Sequence, residues 1–353
     1  MVNVKISNVA IKGIGACVPK RTVSNWDYPF LSKNELEKYV STIGVEERHC
    51  AIHDGTICTS DLCCEAAIKV IDNLEWDVNS INAVIFVSHT ADFKLPSTAC
   101  IIQNRLGITK SSMAFDVPLG CSGFVYGLGI ISSIMQSGYI KRGLLLVGNT
   151  QSIYAAPKDQ STALLFGDAG AAIALEYEEF KDNSFEFGFY SDGSGYDALI
   201  VPDGGCRNPF STESLQEYTD SNGTRTRLHE KMDGMEVFAF ATRIVPKSIE
   251  NLLSFFEIDR KKIDYLLLHQ ANYFLCEKIR KKLNFDEIKT PYNISKFGNT
   301  SGASIPLLMV TELRDELTEK SMSFVASGFG VGLSLGTVHF TTNQIVCPEL
   351  LYL

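Results

Sequence analysis

The chain has 353 residues, enough for two domains of roughly 150–200 residues, or one fused pair, with a sizeable core. Hydrophobic residues make up 45% and charged residues 21%, which excludes a disordered chain; a net charge of −9 and a pI near 5.3 exclude a nucleic-acid binder, because phosphate binding needs a surplus of Lys and Arg. The start, Met1–Ile6, has no secretory pattern, and no apolar stretch reaches the roughly 18 residues that span a bilayer, so the chain reads as soluble and cytoplasmic with no membrane partner.

Apolar runs of strand length alternate with stretches of helical period, the pattern of an α/β fold. In chain order, Ala83–Val87 is the first such strand, and it leads through Ser88 and His89 towards a helix ending near Arg105 and Leu106. A run from Ala114 stops at Pro118 and Gly120, and Cys121-Ser122-Gly123 then opens an apolar helix through Ile134. Strands follow at Leu144–Val147 and Ala171–Leu175. Residues 176–185 are polar and turn-like and read as the join between two halves, 1–178 and 179–353. From Cys206 to Met232 a polar excursion reads as a lid or a dimer contact. The second half repeats the first: strand Tyr265–Leu268 ends in His269 and leads to a helix around Lys278–Leu283. Phe297-Gly298-Asn299-Thr300-Ser301-Gly302 precedes a helix as Cys121 does, and strand Phe324–Ala326 runs into Gly328-Phe329-Gly330-Val331-Gly332.

Each chemically capable residue also has a plain structural explanation. A cysteine at a helix N-terminus meets unpaired N–H groups and a dipole that favour thiolate, yet a cysteine among Gly and Ser at a turn is also ordinary packing. His269 stands where a strand ends, placed to hand a proton or hydrogen bond into a cavity, or simply to be satisfied by backbone. Asn299 reads locally as a helix N-cap. The Gly328–Gly332 run is followed by another strand rather than a helix, which rules out a dinucleotide loop and suits close approach of backbone N–H donors to an oxyanion. The ten cysteines form neither a CxxC pair nor a disulfide-like spacing, so reduced thiols are expected, and His49 with His53 is weak as a metal pair.

Taken together, Gly120-Cys121-Ser122-Gly123-Phe124, Leu268-His269-Gln270-Ala271-Asn272, Phe297-Gly298-Asn299-Thr300-Ser301 and Gly328–Gly332 resemble β-ketoacyl-acyl-carrier-protein synthase III, over nearly the whole chain. Leu95–Cys100 and Phe166–Ala171 match the same family. The resemblance implies a thiolase fold of five layers, α-β-α-β-α, a homodimer, and no organic cofactor or metal. It implies that Cys121 is acylated by a thioester of acyl carrier protein or CoA, and that the Cys121 and Val331 N–H groups, beside Gly330, hold the oxyanion. His269 and Asn299 would stabilise the enolate of a malonyl-type extender. Leu95 would close the acyl channel of the partner subunit, and Lys278, Arg280, Lys281 and Lys282 would dock an acidic carrier. Acyl transfer to an amine or hydroxyl without decarboxylation is the alternative, with a non-catalytic partner subunit behind it. The sequence departs from acetyl-CoA-using members where Glu37–Val45 lacks the Trp and Arg that clasp adenine, and where Phe274 stands in place of a further Arg.

Overall fold

A computed structural model describes residues 1–179 and 183–353. Its principal strands are β1 (Val2–Ser7), β2 (Val9–Val18), β3 (Ala83–Val87), β4 (Met113–Val117), β5 (Arg142–Asn149), β6 (Ala169–Tyr177), β7 (Ser184–Ser191), β8 (Tyr265–Leu268), β9 (Ser321–Gly330), β10 (Ser334–Asn343) and β11 (Leu351–Tyr352). The helices that matter below are α1 (Lys33–Ile43), α2 (Thr59–Asn73), α3 (Thr98–Arg105), α4 (Gly123–Met135), α5 (Gly234–Phe255), α6 (Tyr273–Leu283) and α7 (Ser304–Glu312). The proposed join at 176–185 takes in the end of β6 and the start of β7, and its residues 180–182 lie outside the described residues.

Two mixed sheets form, in the orders β11-β2-β6-β5-β3-β4 and β1-β7-β10-β9-β8. In the first, β3 runs parallel to β4 and β5, and β6 is antiparallel to β5. In the second, β8 runs parallel to β9, and β10 is antiparallel to β9. Each sheet takes an edge strand from the far end of the chain: β1 pairs with β7, while β11 returns to pair with β2.

Burial explains the layering. All five residues of β3 are buried, as expected of a strand covered on both faces. Helices α4 and α7 are apolar around most of their circumference and share one core with strands of both sheets, through Phe124, Leu128, Leu307, Ile85, Phe187 and Phe324. They are therefore the central layer. Helices α2 and α3 cover the far face of the first sheet, and α5 and α6 the far face of the second, each through a core of its own. The result is α-β-α-β-α, the thiolase architecture. Gly127 permits the close contact of α4 with the first sheet, since a Cβ there would stand 2.7 Å from Leu145 and 2.9 Å from Val87. A Gly127→Leu change would force those layers apart, a strain of roughly 1–3 kcal/mol.

The excursion from Cys206 to Met232 is more structured than its composition implies. It contains the short strands Tyr218–Asp220 and Gly223–Arg225, the second of which pairs with Lys158–Asp159. Arg225 anchors it, fully buried and ion-paired with Asp159 and Asp220. Losing one partner of such a pair leaves a buried charge uncompensated, so the segment is held in place.

Candidate active site

The two central helices and the ends of two strands of the second sheet converge on one point. Strand β4 delivers the chain through Pro118 and Gly120 to Cys121, two residues ahead of α4, where the Gly123 N–H bonds to the Gly120 carbonyl at 2.7 Å. The Cys121 thiol is only 6% exposed and lies 3.8 Å from Ser301 Oγ. Burial pushes the thiol up to about 11, Ser301 and the N–H groups of Val331 and Cys121 oppose that shift, and Glu230 adds to it. At neutral pH the resting group is therefore a thiol.

Strand β9 comes closest to the sulfur at Gly330, where φ is +157° and a Cβ would sit 2.7 Å from Cys121 Cβ and 2.9 Å from Sγ. Only glycine fits that approach. The Ser334 hydroxyl, on β10, donates to the Val331 carbonyl at 2.7 Å and meets Ser122 Oγ at 2.7 Å, locking the β9–β10 turn to the start of α4.

His269 follows β8, and its backbone N–H bonds to the Ser327 carbonyl at 2.9 Å. The ring is buried, with Nδ1 at 2.6 Å from Ser304 Oγ, the first residue of α7, and with Phe329 edge-on at 5.4 Å. Burial pushes its pKa down to about 3, against the opposing pull of the Ser301 carbonyl, so the imidazole is neutral across the physiological range. Asn299 precedes the short 3-10 turn Ser301–Ala303 that leads into α7; its Oδ1 accepts from the Ser301 N–H at 2.9 Å. Its Nδ2 makes only a long 3.5 Å contact with the Ala271 carbonyl, which leaves a donor for a ligand.

Cys121, His269, Asn299 and Gly330 all line one narrow cavity of about 100 Å³, walled by Phe238 and Phe329 among others. Beyond it a larger cavity of about 670 Å³ opens, lined by Val331, Leu199, His89, Tyr154, Gln151 and Glu230. Leu199 borders both, and the neighbours Gly330 and Val331 face one each.

The remaining sequence candidates lie elsewhere. Leu95 is 86% exposed and lines neither cavity of its own chain. The basic cluster on α6 is partly committed: Arg280 forms a two-pronged pair with Glu277 and donates to the Phe285 carbonyl at 2.8 Å, so its guanidinium already has partners within the fold. Lys281 lies 3.4 Å from Glu277, Lys282 donates to the Thr242 carbonyl at 3.0 Å, and Lys278 sits over the Phe274 ring. His49 and His53 are held apart, at the Pro19 carbonyl and the Ser152 hydroxyl. All ten cysteines are free thiols.

Sequence reasoning missed Ser301, Ser304, Gln151 and Glu230. The two serines follow Asn299 by two and five residues, a one-face spacing that was visible in the motif itself. Glu230 had no such signal, because it lies in a polar stretch where a charge reads as solvated.

Comparison with known proteins bears on the same residues. The model of 3-oxoacyl-[acyl-carrier-protein] synthase III matches residues 115–193, and the model of that family's C-terminal part matches 253–342. A beta-ketoacyl-[acyl-carrier-protein] synthase III of Clostridioides difficile is 35% identical over 332 residues, 94% of this chain and 97% of that protein. One from Streptococcus pneumoniae is 36% identical over 339 residues, 96% and 98% of the two chains. A crystal structure of a 3-oxoacyl-(acyl-carrier protein) synthase from Burkholderia xenovorans LB400 superposes with a TM-score of 0.93 at 35% identity, covering 100% of this chain and 99% of the other.

Proposed function

We propose, since this chain belongs to the 3-oxoacyl-[acyl-carrier-protein] synthase III family of acyl-transferring condensing enzymes, that Cys121 takes an acyl group from a thioester and His269 and Asn299 prepare a malonyl-type thioester to receive it. The observation that carries this division of labour is the shared narrow cavity, into which three distant segments bring a thiol, a neutral imidazole and an amide with a spare donor.

Acylation exchanges the donor's C–S bond for one to Cys121 and leaves the thiol proton on the departing thiol. The tetrahedral oxyanion is held by the N–H groups of Cys121 and Val331, which already stabilise negative charge at the sulfur. A malonyl thioester then enters through the narrow cavity. Its C–C bond breaks, CO₂ leaves, and the electron pair moves to the thioester oxygen as an enolate. His269 and Asn299 donate to that oxygen. In the tautomer in which Ser304 Oγ donates to Nδ1, the proton of the neutral ring sits on Nε2 and can be given to that oxygen, and Asn299 supplies Nδ2. Each donor aimed at developing charge is worth roughly 3–4 kcal/mol. The enolate carbon attacks acyl-Cys121, a new C–C bond forms, the C–S bond breaks with its electron pair going to sulfur, and the freed thiolate takes up one proton.

The exposed Leu95 suits a role across a homodimer, reaching the larger cavity of the partner subunit. Lys278, Lys281 and Lys282, on the outer face of α6, suit an acidic carrier protein. Intact-protein mass after incubation with acyl-CoA and acyl-carrier thioesters tests the reading, together with CO₂ release from malonyl thioester. An acyl adduct that is lost in Cys121→Ala, with CO₂ release by the parent, is expected. An adduct without any CO₂ release would instead favour acyl transfer to another acceptor.

A further inference from the structure

The larger cavity contains a buried carboxylate that the chemistry above does not use. Glu230 is 3% exposed, and its backbone N–H is fixed by the Tyr154 carbonyl at 2.8 Å. Gln151 Nε2 donates to its Oε2 at 2.9 Å, and Gln151 is itself buried. Among the described residues only Oε2 has a hydrogen-bond partner and no cation pairs with the carboxylate, while the side chain borders the cavity. Closing the cavity over that oxygen without offering it a donor would cost free energy. Burial pushes it up to about 7, and its charge opposes ionisation of Cys121. The carboxylate therefore hinders the nucleophile rather than assisting it.

The place of Glu230 gives it another use. An acyl chain on Cys121 that passes Val331 enters this cavity, whose walls include Leu199, Leu228 and Phe210 alongside Glu230 and Gln151. We infer that Glu230, held by Gln151, forms a polar subsite for a hydroxyl on the acyl group carried by Cys121, so that the first substrate is a short hydroxyacyl thioester. This rests on the acyl-enzyme reading above. A hydroxyl supplies the donor that Oε1 lacks, and it can accept from the same group when the carboxyl is protonated. A carboxylate on the substrate would be repelled. An ammonium would share the cavity with Lys94, whose amine donates to the Gly204 carbonyl at 3.0 Å on its rim. A plain alkyl chain would seal Glu230 from water with its second oxygen unpaired, and sites built to bond a substrate hydroxyl discriminate strongly against analogues that lack it.

The test measures the second-order rate of Cys121 acylation by intact mass, using butyryl-CoA, 3-hydroxybutyryl-CoA and 3-aminobutyryl-CoA. The handle is constant, so any cost of binding CoA cancels. The full-length protein is expected to react at least about tenfold faster with 3-hydroxybutyryl-CoA than with butyryl-CoA. Glu230→Leu should reverse that order, and Glu230→Gln, which keeps an acceptor oxygen, should retain a reduced preference. The inference is overturned if the unaltered protein prefers butyryl-CoA, if 3-aminobutyryl-CoA is the fastest donor, or if Glu230→Leu keeps the original ratio. The unaltered protein alone decides the first two, whether or not the variants fold. Good acylation by butyryl-CoA without hydroxyl preference removes this inference and leaves the acyl-enzyme standing; no adduct from any donor removes both.

Discussion

Ser304 Oγ stands 2.6 Å from His269 Nδ1, so the first residue of a central helix orients the ring at the end of a strand in the neighbouring sheet. The contact fixes which ring nitrogen faces the cavity. A ligand that must act as a donor works in one tautomer only, and an outer partner of this kind commonly selects it.

Ser304→Ala should therefore slow CO₂ release from malonyl thioester by about tenfold to a hundredfold, the scale of one lost orienting bond, while leaving acylation of Cys121 much closer to the parent rate. Ser304→Thr, which keeps the hydroxyl, should restore most of the loss. A merely structural role would instead lower both steps together, in both variants.

Protonating His269 should destabilise the fold. Its folded pKa, about 3, lies below the ordinary value of 6.5, so the unfolded chain binds the proton more tightly. The stabilisation from the neutral ring is complete above about pH 6.5 and is lost as pH falls towards 3. Between pH 7 and pH 4 this amounts to about 3 kcal/mol. Urea unfolding of the parent and of His269→Ala should show the parent losing more stability over that interval by about that amount. Parallel pH curves would contradict the assignment.

Gly330→Ala places a methyl group 2.7 Å from Cys121 Cβ and 2.9 Å from its Sγ. Alkylation of Cys121 by iodoacetamide should slow by about a hundredfold, with roughly 1–3 kcal/mol lost from stability through overpacking. In the parent, the alkylation rate should keep rising with pH beyond 9, since thiolate is the reactive form and the thiol is pushed up to about 11. A plateau below pH 8 would show a pre-formed thiolate instead.

Phe274 stacks on Phe238, a wall of the narrow cavity, with ring centres 5.7 Å apart. No guanidinium stands at that position to grip the nucleotide end of CoA, whereas a carrier protein brings the same thioester arm without adenosine. For one acyl chain, kcat/KM should favour the carrier-bound donor over CoA, and acetyl-CoA should be a poor primer. Phe274→Arg should narrow the gap. Lys281→Glu should lower kcat/KM several-fold for the carrier donor alone, an effect that fades with added salt. Acetyl-CoA turnover matching the carrier-bound donors would refute this.

Much of this site was legible because its residues stand at the ends of strongly apolar runs. Tyr265–Leu268 could be little other than a buried strand, and the polar residue after it had to emerge at an edge. The Cys121 and Asn299 segments were legible as two glycine-containing turns that each precede an apolar helix. What stayed hidden depends on contacts across long separations. Nothing local marks Glu230 as buried, because its burial is imposed by Arg225 anchoring the excursion to Asp159. Arg280 read as a surface charge since periodicity cannot reveal that Glu277 and the Phe285 carbonyl already hold it. Nor does alternation along Val2–Ser7 say which sheet that strand will join.

The long-range pairing of these edge strands ties the two sheets together in time as well as space. During synthesis Val2–Ser7 leaves the ribosome well before Ser184–Ser191, its one strand partner among the described residues. At roughly 5–20 residues per second the nascent strand waits on the order of ten to forty seconds with its edge open. Lys5, which later meets Glu186 at 3.3 Å, meanwhile puts a charge on that edge and discourages pairing between neighbouring nascent chains. A gene split between Tyr177 and Ser184 would give an N-terminal fragment with a strand it cannot use and without the strand that completes its own sheet. Neither fragment should mature alone, and co-expression should restore both.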